Sequence, residues 1–256
     1  MQHLARLRVP IIVVGFALWI ACDPGWNGLL ASGGYLLRGL TGTFVYSLAG
    51  AGLGLIAGAM LAAMRLTGGA LSKLAAACVV LGQAVPPLFV IAASYLLMPE
   101  LLHITPSPEI AAVLSLGLIA SGYYCEAFRA AVAGVDPLLA QAARISGLSR
   151  GVVLSRIVVP QALVACVPAV GASSIIVFKL STLLYPIGIT DFFRATVIVN
   201  NRIIEPVRCY ALIAAFYYVA SDLIEQAIRW SSQRVGGRTS GATPRAAVSE
   251  LRGSAG

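Results

Sequence analysis

Apolar residues run in long blocks along this chain, separated by short polar or charged stretches. A helix needs about 20 apolar residues to cross a hydrocarbon core about 30 Å thick. On that length rule the blocks predict six spans, over roughly 9–30, 40–64, 74–98, 109–133, 160–183 and 208–229. The first is the weakest: its continuous apolar part, VPIIVVGFALWIAC, ends at Cys22 and is followed by DPGWNG. Arg6 and Arg8 precede it as in a signal sequence, but Trp19 and Ile20 before Ala21 make a poor cleavage site, so an uncleaved first span is expected. Beyond the last block, residues 231–256 are rich in Ser, Gly and Arg and are expected to form a disordered tail.

Composition agrees with the pattern. Hydrophobic residues make up 59% of the chain and charged residues 11%, against about 25% charged in a soluble domain. An all-α integral membrane protein follows. The net charge of +8 is spread between the apolar blocks rather than gathered on one patch, which argues against nucleic acid and for a positive-inside bias. With the N-terminus inside, Arg6, Arg8, Arg65, Lys73, Arg144, Arg150, Arg156, Arg229 and the tail arginines fall on the cytoplasmic side. Only Arg38, Arg194, Arg202 and Arg208 fall outside, with Arg129 and Lys179 near span ends, so both termini are expected in the cytoplasm. The five cysteines include no CxxC pair, which argues against a metal or disulfide framework. His3 and His103 are isolated and the acids scattered, so a membrane-embedded enzyme lacks converging catalytic groups.

Within the spans, Gly50, Gly54 and Gly58 recur at four-residue spacing, on one helix face that another backbone can approach closely. Static packing and a moving helix both fit that face. In GQAVPPLF, residues 82–89, two prolines break the helix or mark where one begins, and Gln83 beside them is a candidate for a polar pathway. Glu126 and Arg129, spaced i, i+3, are expected to pair at the inner end of their helix. Lys179 either snorkels to the interface or meets a substrate carboxylate along the route, with Ser173 and Ser174 upstream. Residues 185–207, with Asp191, Arg194, Asn200, Asn201 and Arg202, are expected outside, as a docking face for a binding protein or as a plain interfacial loop.

The longest polar interruption, residues 134–160, reads GVDPLLAQAARISGLSRGVVLSRIVVP. Asp136 suits an N-cap and Pro137 the first helical position. Gly147 suits the left-handed residue that closes a helix, and Ser149 the cap of the next, with Pro160 marking the return to the membrane. The result is helix, sharp turn, helix on the cytoplasmic side. Ala142 and Ala143 leave a surface that a partner can approach, and Arg144 and Arg150 add charge.

QAARISGLSRGVVLSRIVVPQAL resembles the EAA loop of ATP-binding-cassette (ABC) importer permeases. Its flanks, YYCEAFRAAVAGV and VPAVGASSIIVFKLSTLLYPIG, and the span GLTGTFVYSLAGAGLGLIAGAMLAAMRL, resemble the polar amino acid permeases of the histidine/glutamine type. The resemblance covers roughly residues 38–230. It implies a type I (MetI-like) permease bundle of about six spans, one of them additional at the N-terminus. The expected division is 1–37 as N-terminal span and external linker, 38–230 as transmembrane domain with its coupling loop at 136–160, and 231–256 as tail.

By the same resemblance, the chain is a multi-pass subunit of the bacterial inner membrane that imports amino acids or related small polar solutes. A second permease subunit, identical or not, two cytoplasmic ATPase subunits and an external solute-binding protein are the implied partners. Gln141, Ala142, Ala143, Arg144 and Gly147 are the implied coupling element. ATP would be hydrolysed by the partner: the chain has no GxxxxGK[ST] motif and is expected to bind no cofactor of its own. Four positions depart from the family's usual pattern. Gln141 stands for the usual Glu, Gln83-Ala84-Val85-Pro86 for Arg-Gly-Thr-Pro, Ala172 for Asn, and Leu180 for Asp. They sit where substrate or partner contacts are expected, and they keep open a divergent importer or a non-transporting structural subunit of a heteromeric complex.

Overall fold

A computed structural model describes residues 2–103 and 105–236, and the regular structure among them is helical. Helix α1 (Gln2–Cys22) leads through a short 3₁₀ turn and α2 (Asn27–Ala31) into α3 (Gly33–Thr67). At 35 residues α3 is about 52 Å long, well beyond the hydrocarbon core. It continues into α4 (Gly69–Ala84), α5 (Pro87–Leu102) and α6 (Pro108–Ala133). A polar hairpin follows: α7 (Pro137–Ile145), then α8 (Arg150–Val153), which runs on through a π-helical turn at Leu154–Val158 into α9 (Val159–Ala165) and α10 (Val167–Leu180). A 3₁₀ stretch, Ser181–Ile187, then leads to α11 (Phe192–Ile203) and α12 (Pro206–Gly236).

Four helical stretches are long and apolar enough to cross a membrane: Gly33–Thr67, Pro108–Ala133, Val167–Ile187 and Pro206–Arg234. The expected span over 74–98 is instead a bent pair, α4 and α5, meeting at 101°. The cause is local. Pro86 pushes Val85 into extended backbone (φ −82°, ψ 129°) and ends α4, while Pro87 opens α5 at its first turn, so break and helix start coincide. Helix α1 is present, but among the described residues its apolar helical part is the short Val13–Cys22. The six expected spans therefore resolve into four continuous ones, one bent pair and this shorter N-terminal helix. Helix α12 also carries on to Gly236, six residues into the stretch expected to be disordered, while residues 237–256 lie outside the described part.

Helix α6 is the central post. Leu116, Ala120 and Tyr124 are buried on it together with Ile91 of α5, Val177 of α10 and Leu184. Helices α3 and α6 lie side by side in the same direction, and the glycine stripe makes that possible. A Cβ on Gly50 would stand 2.6 Å from Leu116 Cβ, and one on Gly58 would stand 2.8 Å from both the Ser121 carbonyl oxygen and Tyr124 Cβ. The stripe is thus a packing face within the chain. A second cluster joins Trp26 and Leu29 to Phe178, Phe192 and Tyr217, and so ties the α1–α2 segment to α10, α11 and α12. Asp23, just after α1, receives a bidentate pair of hydrogen bonds (2.9–3.0 Å) from Arg208 at the start of α12.

Candidate functional site

The hairpin at residues 136–153 forms as its sequence dictates. Asp136 Oδ1 accepts the Leu138 N–H at 2.9 Å, and Pro137 takes the first helical position. At the other end Gly147 adopts φ +85°. Its N–H donates to the Arg144 carbonyl (3.0 Å) and the Leu148 N–H to the Ala143 carbonyl (3.2 Å), the paired closure of a Schellman motif. Ser149 then accepts the Val152 N–H and starts the return helix. Pro160, lacking an N–H, cannot continue the i→i−4 ladder, and the π turn directly before it absorbs the gap.

None of the residues of α7 is buried. Gln141, Ala142 and Arg144 are exposed, whereas Ala143 and Ala140 are half-covered. The sequence reading missed the apolar side chains here. Leu138 and Ile145 are 67% and 88% exposed, and with Ala142 they hold positions i, i+4 and i+7 of one helix face. That spacing was available in the sequence as an apolar stripe on a short polar-flanked helix. The hairpin presents an uncovered amphipathic helix at the end of the bundle where α6 finishes.

At that same end, Glu126 does more than pair with Arg129 (2.8 Å). It also binds Arg65 in the last turn of α3, so one carboxylate joins two parallel helices near their hairpin ends. The i, i+3 spacing revealed the first partner; the second lies 61 residues away in sequence and left no local signal.

The expected pathway residues do not converge within one chain. Gln83 is exposed and lies against Gly122 of α6: a Cβ on that glycine would sit 3.4 Å from Gln83 Nε2. Ser174 exchanges a 2.8 Å hydrogen bond with the Tyr124 hydroxyl. Positions 122 and 124 point to opposite sides of α6, so Gln83 and Ser174 flank it at one level without meeting. Ser173 donates to the Ala169 carbonyl of its own helix (3.0 Å). Lys179 is exposed on the α10 face that also carries Ala172 and Ile176.

At the opposite end of the bundle, Asp191 departs from expectation. It is fully buried, and its Oδ1 caps α11 by accepting the Arg194 N–H at 2.8 Å. The neighbouring Phe192 N–H donates to Thr43 Oγ1 of α3 (2.9 Å). Burial pushes the Asp191 carboxyl up to about 6, against the lowering pull of its backbone donors. Asp191 is therefore a structural cap and not part of an outward docking face; of the polar residues expected there, Asn201 and Arg202 are exposed, while Arg194 and Asn200 are half-buried.

These features define a class: a multi-pass helical membrane protein with a broken span, a central packed helix pair and an uncovered hairpin at one end of the bundle. Residues 50–235 match the family described as "Binding-protein-dependent transport system inner membrane component". The chain belongs to that family, and it is an inner membrane component of a transport system. Over 204 residues it is 28% identical to the glutamate/aspartate import permease protein GltK of Escherichia coli O6:H1, covering 77% of this chain and 91% of that one. It is 26% identical over 211 residues to the octopine transport system permease protein OccQ of Rhizobium radiobacter, covering 78% and 89%. The fold matches a chain of an amino acid ABC transporter crystallised with histidines, at TM-score 0.76 and 22% identity over 80% of this chain and 96% of that one. It also matches a chain of the MetNI methionine ABC transporter, at TM-score 0.65 and 17% identity over 78% and 96%.

Proposed function

We propose that this chain carries amino acids or related small polar solutes into the cytoplasm, driven by ATP hydrolysis in separate ATPase subunits that dock on the hairpin at residues 136–153. The observation that carries this reading is the apolar face Leu138–Ala142–Ile145, held out on a capped helix with nothing against it. A large apolar side chain fixed in that position is favoured where a partner covers it. Gln141 and Arg144 then supply polar contacts at its rim, and the Gly147 turn transmits the partner's movement into α8, α9 and α10. An amino acid cargo is supported by the relatives, named as permeases for glutamate/aspartate and for octopine.

The remaining assignments follow from that arrangement. The hairpin end is cytoplasmic, which puts both termini inside and Arg38, Asn201 and Arg202 outside, facing an external solute-binding protein. The uncovered α10 face with Lys179 pairs with a second permease subunit, and the pathway residues Gln83, Ser173, Ser174 and Lys179 line the route only in that pair. The chain itself holds no nucleotide.

Reconstituted with its ATPase and binding protein in liposomes, the wild-type complex takes up radiolabelled amino acids with ATP hydrolysis coupled to uptake. Gly147→Pro cannot adopt the positive φ and abolishes the coupling. Unchanged uptake in that variant overturns the role of the hairpin.

A further inference from the structure

A cleft of about 350 Å³ opens at the end of the bundle opposite the hairpin, where the first turns of α3, the start of α6 and the segment before α11 converge. Its lining is small and polar compared with the lipid-facing surface around it. Helix α3 supplies Arg38, Thr41 and Tyr46 from one face, and α6 supplies Glu109 from its first turn. The back wall is backbone, from Gly188 to Thr190, and Gly42 lets the Thr190 carbonyl come close to α3. That wall is fixed in place: Gly188 takes φ +90°, and the buried Asp191 cap and its Thr43 contact follow directly.

Four charged groups surround this space. Arg38 and Glu109 share it and are exposed, and neither makes an ion pair among the described residues. Behind the wall stands Arg194. A Cβ placed on Gly188 would lie 3.3 Å from Arg194 Nη1, and that nitrogen is buried with no hydrogen-bond partner among the described residues. Its guanidinium lies 6.0 Å from the Tyr185 ring centroid, a contact that orients it without neutralising it. A buried cationic donor left unpaired is costly, and an anion in the cleft offsets that cost through its field. Arg38 and Glu109 bring one charge of each sign to the lining, and behind the wall Arg194 stands beside the buried Asp191 carboxylate.

We infer that this cleft is a vestibule site for a solute bearing an ammonium group and a carboxylate, the chemistry of a zwitterionic amino acid, with Arg38 taking the carboxylate and Glu109 the ammonium. The volume is at the lower end of the range for small-molecule sites and suits a single amino acid. The inference rests on the import function proposed above, and it places a first binding step at the outer mouth, apart from the pathway residues of the membrane interior.

The test uses the complete complex in nanodiscs for binding and in liposomes for uptake, with radiolabelled glutamate, glutamine, arginine and glutarate as probes. Wild-type binding is expected for glutamate, glutamine and arginine, which share the ammonium and its neighbouring carboxylate, and more weakly for glutarate, which lacks the ammonium. Arg38→Gln is expected to raise the half-saturating concentration about tenfold for both glutamate and glutarate, the loss of roughly one charge-assisted contact. Glu109→Gln is expected to weaken glutamate by a similar factor and to leave glutarate, which has no ammonium group, unchanged or tighter. Arg38→Lys keeps the charge and is expected to recover part of the glutamate affinity, with the melting temperature confirming that each variant folds. Unchanged half-saturation in both charge-removing variants, while uptake continues, overturns the vestibule and leaves the import function standing. An equal fall in maximal rate for every probe marks a protein-docking face and also overturns it. Binding that depends on Arg38 and Glu109 in a complex that imports none of the probes supports the site and overturns the import function.

Discussion

The parallel packing of α3 on α6 makes a sharp, sign-changing prediction about glycine. At Gly58 an added methyl meets the Ser121 carbonyl oxygen and Tyr124 Cβ at 2.8 Å and the Cys125 nitrogen at 3.1 Å. All three are backbone or Cβ atoms of α6, so no flexible side chain can swing away. Ordinary carbon contacts need about 3.5–4.0 Å, so the helices must part by roughly 1 Å, a gap that forfeits up to about half of each dispersion contact across the seam. Overpacking of this kind costs about 1–3 kcal/mol, and it outweighs the gain of about 0.5–1 kcal/mol that alanine brings to a helix interior. Gly52 is on the same helix with nothing within 4 Å. There only the helix gain remains. At about 2–4 °C per kcal/mol for a chain of this size, Gly58→Ala should lower the melting temperature in detergent by several degrees, while Gly52→Ala should raise it by one to three. Melting followed by the far-ultraviolet signal of the purified chain reads both. A Gly58→Ala variant as stable as Gly52→Ala would refute the close seam.

Burial and its charges support two further expectations. The folded carboxyl of Asp191 titrates near 6, above the 3.8 of an ordinary Asp. Its contribution to stability is therefore fully present below pH 3.8 and is lost as pH rises through 6. Asp191→Asn keeps the cap without the charge, so the wild type should lose more stability than the variant between pH 4 and pH 7, by about 1–3 kcal/mol, and parallel melting curves at the two pH values would contradict this. At the hairpin end, Arg65 is the less exposed of the two partners of Glu126 (20% against 47%) and alone bridges two helices. Arg65→Ala should therefore cost about 1 kcal/mol more than Arg129→Ala, and a double-mutant cycle with Glu126→Gln should assign the larger coupling to Arg65; equal couplings would dismiss the bridge.

Much of this was legible in the sequence, and the exceptions share a physical cause. Capping residues act through their nearest neighbours, so Asp136, Gly147 and Ser149 could be assigned their roles from spacing alone. The same holds for Pro86 and Pro87, which break and restart a helix whatever surrounds them. The glycine stripe announced a close approach but not its partner, because Gly50, Gly54 and Gly58 meet α6 some 60 residues later in the chain. Asp191 looked like an exposed polar residue in an external loop. Only the folding of α11 onto Thr43 and Tyr217 buries it. Lys179, Ser173, Ser174 and Gln83 show their chemistry in the sequence but not their positions, and Gln83 and Ser174 lie on opposite sides of α6. The seven-residue spacing of Leu138 and Ile145 marks one helix face in the sequence, but only the fold shows that nothing in the chain covers it.

The central claim is that the hairpin face is where a nucleotide-hydrolysing subunit docks. Affinity purification of the tagged chain from its native membrane, with the ATPase stoichiometry and hydrolysis rate measured for wild type and for Ile145→Asp, tests it most directly. Ile145 is almost fully exposed and touches nothing that folding needs, so the variant should melt like the wild type yet lose the ATPase subunit and its hydrolysis together. Retention of the ATPase at wild-type stoichiometry in that variant, or its absence from the wild-type complex, would contradict the account.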